Sequence, residues 1–129
     1  MSVAPVADPA QCGRARLAYL LYLANLSVLP GIAFVLMLML WRASGSRAPF
    51  VAAHFRQALF ASVVAGVLLA IVSGLIVLAG GLHTPWTWVI LITYFTLCHS
   101  VLLLLGVLGF TRANNGRAFE FFRIASWRG

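Results

Sequence analysis

Lysine is absent from this chain of 129 residues and acid is nearly so: Asp8 and Glu120 stand against nine arginines, for a net charge of +7. Catalysis by a carboxylate pair is thereby excluded, since Asp8 lies in a terminal segment and Glu120 is spaced to pair with Arg117 and Arg123 along a helix surface. The chain also lacks a Gly-rich phosphate loop, a nucleophile elbow and a metalloprotease histidine pair, so no catalytic residue is expected and it is not read as an enzyme. Cysteine is scarce too. Cys12 falls in a polar segment and Cys98 deep in an apolar one, which rules out a disulfide framework. His54, His83 and His99 are scattered along the sequence, so neither a metal site nor a bound cofactor is expected.

Charge is missing in a second sense. Leu17 to Trp41, Ala58 to Gly81 and Trp86 to Phe110 contain no Asp, Glu, Lys or Arg. Each is close to the roughly 20 residues a helix needs to cross a hydrocarbon core about 30 Å thick. Hydrophobic residues make up 63% of the chain and charged residues 9%, against about 45–50% and about 25% in soluble domains. The expectation is an all-α membrane protein with three hydrophobic helical segments, at about 17–41, 58–81 and 86–110. Residues 14–113 then form a transmembrane helical domain, 1–13 a flexible tail, and 114–129 a cytoplasmic interfacial tail.

The arginines occupy connecting segments, where anionic headgroups account for them without nucleic acid. Arg42, Arg47 and Arg56 flank the first loop, and Arg112, Arg117 and Arg123 follow the third apolar segment. These six are read as headgroup contacts, with membrane lipids as partners. The stretch between Gly80 and Pro85 carries no formal charge, so the positive-inside bias puts the arginine-rich loop and the C-terminus in the cytoplasm of a bacterial inner membrane. Phe119, Phe122, Ile124 and Trp127 alternate with charged residues in the tail, which suits a short amphipathic helix lying in the interface.

Pro30 and Gly31 break the first apolar segment, because proline removes an amide donor and clashes with the preceding turn. Two geometries follow. A kinked helix spanning once has the simpler hydrogen-bond accounting, since a re-entrant turn survives only where protein buries it. A shallow hairpin of two half-length helices instead puts all nine arginines on one face. The kinked single span is the expectation.

Ala58, Ser62, Gly66, Ala70 and Gly74 recur at steps of four and form a stripe of small residues on which another helix can pack closely. Its occupant is either a helix of the same chain, another membrane protein or a second copy. Asn25 and His99 are the polar side chains singled out inside apolar segments. A histidine at that depth is a proton relay, a metal or haem ligand, or simply a group bonded to a neighbouring helix. Bis-histidine haem is disfavoured, because His54 sits at the membrane edge and His83 in the opposite loop.

Pro30-Gly31, then Ala48-Pro49-Phe50-Val51 leading to His54 and Gln57-Ala58-Leu59, then Ala113-Asn114 and Gly116 together resemble a family. It comprises small bacterial membrane proteins of unknown function related to the channel-forming Tic component of the chloroplast inner envelope. The resemblance implies an accessory or transport-associated protein, and with the small-residue stripe and the aromatic-basic tail the expectation is a non-catalytic accessory or assembly subunit of a larger membrane complex. The alternative it leaves open is a transport or translocation-associated component with a polar path near His99 and Asn25.

Overall fold

The structure, a computed structural model, describes residues 7–44 and 47–116. The interfacial helix expected in the C-terminal tail, with Arg117 and Arg123, lies outside the described residues. Four helices make up the described chain: α1 (Pro9–Ser27), α2 (Ile32–Ser44), α3 (Pro49–Gly80) and α4 (Pro85–Asn114). Three of them open on proline in the first turn, where the missing amide would have had no helical partner and the fixed φ already suits a helix. Two of these starts differ from expectation. Residues 9–13 are helical rather than tail, and α3 begins at Pro49, well before the apolar run. Hydropathy locates the hydrocarbon boundary, and a helix can extend beyond it.

Gly31 turns the chain between α1 and α2 with φ +87, a conformation open to glycine at no steric cost. Its amide donates to Asn25 Oδ1 at 2.9 Å, so the side chain that looked like an isolated intramembrane polar group locks the turn. At the other end of α2, the Ala48 amide reaches back to the Ser44 carbonyl at 3.2 Å and delivers the chain directly into α3.

Long-range contacts set the register. Arg16 Nη1 donates to Asn114 Oδ1 at 3.1 Å, Tyr19 packs on Gly109, and the Tyr22 hydroxyl donates to the Leu102 carbonyl at 3.1 Å. Numbers rise along α1 as they fall along α4, so the two run antiparallel and α1 ends about halfway along its partner. Tyr19 also meets His54, near the start of α3. Since α2 ends where α3 begins, the first apolar segment returns to the end of the molecule from which it came. The kinked single span is therefore corrected to a hairpin. Length agrees: the 13 residues of α2 extend only about 20 Å at 1.5 Å per residue. Among the described residues two helices, α3 and α4, are long and apolar enough to cross a membrane, rather than the three segments expected.

The core sits at one end. Tyr19, Tyr22, Phe55, Met37, His54, Gln57 and Val51 are its largest fully buried side chains. From Gly66 to Leu105, by contrast, Thr87 alone is buried among the described residues. The molecule is a four-helix bundle at the arginine-bearing end that thins to a bare α3–α4 hairpin at the other.

Candidate functional site

Two polar features stand inside the bundle. The first joins α1 to α3. Tyr19 and His54 are both buried, and the Tyr19 hydroxyl lies 2.7 Å from His54 Nδ1. Phe50, one turn before His54, meets the imidazole edge-on at a centroid distance of 4.7 Å. Gln57 is buried one turn further along α3. A buried hydrogen bond of this kind fixes helix register, because sliding either helix would strand a desolvated polar group. Tyr19 can approach because α4 presents glycine to it: a Cβ on Gly109 would collide with the edge of the Tyr19 ring, and one on Gly106 would come within 2.6 Å of Leu23 and 2.9 Å of Tyr22.

The second feature is a cavity of about 360 Å³ at the tip of the α1–α2 hairpin, where it meets the middle of α3 and α4. Asn25, Ser62, Cys98 and His99 supply its polar groups, and Phe34, Phe95 and Leu102 are among its apolar walls. His99 is half-buried and stacks on Phe95, with ring centroids 5.1 Å apart and planes 16° from parallel. Ser62 is buried, and its hydroxyl has no hydrogen-bond partner among the described residues. The cavity can hold an uncharged guest by apolar contact and a few hydrogen bonds. No group of three or more His, Cys, Asp or Glu side chains suited to a metal occurs among the described residues.

Asn25, Pro30, Gly31, Ser62, Gly66 and His99, singled out in separate stretches of sequence, thus line one space. The small-residue stripe divides. Ala58 and Ser62 are buried, Gly66 and Ala70 are exposed, and Gly74 is half-buried. Added Cβ atoms at Gly66 and Gly74 would meet nothing within 4 Å. A close helix approach also lies on α4, at Gly106, Gly109 and Ala113, all three buried. Their own spacing of three and four was the available signal. Arg42, Arg47, Arg56 and Arg112 gather at the bundle end: three lie at or beside the ends of α2, α3 and α4, whereas Arg56 sits two turns inside α3, half-buried, its buried Nε without a hydrogen-bond partner among the described residues.

A model of the magnetosome magnetite crystal formation protein family matches residues 13–127. The chain belongs to that family. For this magnetosome-family protein, the match takes in nearly all of α1 and the whole of α2, α3 and α4, so hairpin, cavity and bundle all lie within it. It agrees with the expectation of a small membrane-protein family and says nothing of a relation to the chloroplast Tic component. No curated protein and no solved structure matches the chain.

Proposed function

We propose that this protein is an integral component of a magnetosome membrane that serves magnetite crystal formation as a non-catalytic accessory or assembly subunit. The family match over residues 13–127 carries the reading. In this arrangement α3 and α4 cross the bilayer and the α1–α2 hairpin re-enters from the cytoplasmic side. The described arginines sit among cytoplasmic headgroups, and Trp86 and Trp88 anchor the opposite interface. Removing the protein from a magnetite-forming cell changes the size or number of crystals, and re-expression restores them. Crystals unchanged by its loss would defeat the reading. Gentle detergent extraction, followed by identification of what copurifies, tests the subunit part separately.

A second reading has one observation in its favour: Asn25, Ser62, Cys98 and His99 converge on a single cavity. Under it, the protein is transport-associated and the cavity forms part of a polar path, with further copies or a partner completing the route. His99→Leu then abolishes flux in vesicles holding the protein and its partners. Under the accessory reading the same substitution changes stability alone.

A further inference from the structure

The two ends of the molecule differ in thickness. At the arginine-bearing end four helices pack side by side, and their buried residues run through α1, α2, the first half of α3 and the last turns of α4. At the other end α3 and α4 continue alone, with Ile71, Leu75, Leu78, Ile90 and Ile92 all exposed. The hairpin cannot reach that half. From Leu17, where charge ends, to Ser27 α1 extends only about 16 Å at 1.5 Å per residue, half of a hydrocarbon core about 30 Å thick. The outer surface of α2 is itself apolar, with Ile32, Val35, Leu36 and Met39 exposed, so its surroundings are acyl chains rather than water. With helices about 10 Å across, the broad end takes up about twice the membrane area of the narrow end.

We propose that the protein is a wedge selective for membrane curvature, its partner being a lipid surface that is convex on the arginine-bearing side. An inclusion that displaces more lipid from one leaflet than from the other fits with least deformation where the first leaflet is the more expanded. On a flat membrane, lipids must tilt or thin around the narrow half, at a cost that rises with the mismatch. The described arginines reinforce the preference, since headgroups on a convex face are splayed and leave room for guanidinium groups between them. The narrow half is lined by acyl chains, not by a second copy. Its exposed residues are distributed around both helices instead of forming one face. The proposal rests on the reading of α3 and α4 as bilayer-crossing and adds which membranes the protein prefers. With the arginines cytoplasmic, it prefers a membrane that bulges into the cytoplasm.

The test reconstitutes the full-length, fluorescently labelled protein into phosphatidylethanolamine–phosphatidylglycerol vesicles spanning a range of diameters, with an epitope tag after Gly129. Single-vesicle imaging is expected to give a several-fold higher protein density per membrane area in the smallest vesicles. There the tag is expected on the outer, convex face of most molecules, with little orientation bias in the largest. Equal density and random orientation at every diameter overturn the proposal. So do photobleaching steps that show paired copies with no curvature preference, since a second copy would then fill the narrow half. Carbonate washing separates the two levels: protein released by it defeats the membrane reading, whereas protein retained without curvature preference defeats the wedge alone.

Discussion

At the residue scale, the fold depends on a few polar contacts in an apolar interior. Tyr19→Phe removes the hydroxyl that meets His54 and leaves the imidazole desolvated, a change that costs about 1–3 kcal/mol. A lower midpoint of thermal unfolding in detergent is the expected result. Ser62 behaves in the opposite sense, because its buried hydroxyl has no partner among the described residues. Ser62→Ala is therefore expected to leave stability unchanged or raise it by up to about 1 kcal/mol, read by the same unfolding measurement. The importance of His54 was not legible in the sequence, which put it at a membrane edge. Its partner Tyr19 is 35 positions away and comes within reach only when α1 lies against α3. Asn25 was visible as a polar residue at depth, but its role in the turn depends on the backbone conformation of Gly31.

Among the elements, glycine placement separates tight from loose packing. Gly109→Leu drives a side chain into the Tyr19 ring and is expected to destabilise the protein by about 1–3 kcal/mol, while Gly66→Leu, facing open space, leaves the fold intact. Comparing unfolding of the two variants checks this. A stripe with period four was readable on α3, yet periodicity reports only that a surface is smooth, not whether anything occupies it. The break at Pro30-Gly31 was equally readable, because the chemistry of proline is local. Whether the chain continues across or turns back was not, since both geometries satisfy the same local rules. What decides is distant: Tyr19 and Tyr22 dock on Gly109 and Gly106, and Tyr19 meets His54 near the start of α3.

For the whole molecule, the hairpin makes a topological prediction that a kinked span would not share. Reporters fused before Met1 and after Gly129 should both be active in the cytoplasm, and one inserted at His83 should be exported. A reporter before Met1 that is exported, with the C-terminal one retained, would restore the single span. The class of the fold, helical and membrane-associated, was legible from uncharged stretches and arginine placement, because hydrocarbon excludes charge regardless of tertiary detail. The unequal thickness of the two ends was not, as it follows from how far α1 and α2 reach.

The bond between Arg16 and Asn114 joins residues 98 positions apart. During synthesis the first helix leaves the ribosome long before the last one exists, so its tyrosines must wait for the glycines that receive them. Until translation reaches the end of α4, the nascent hairpin can dock on α3 through Tyr19 and His54 but lacks the glycines of α4. A chain stalled before Gly106 would be left with its entrance helix exposed to proteases and quality-control machinery.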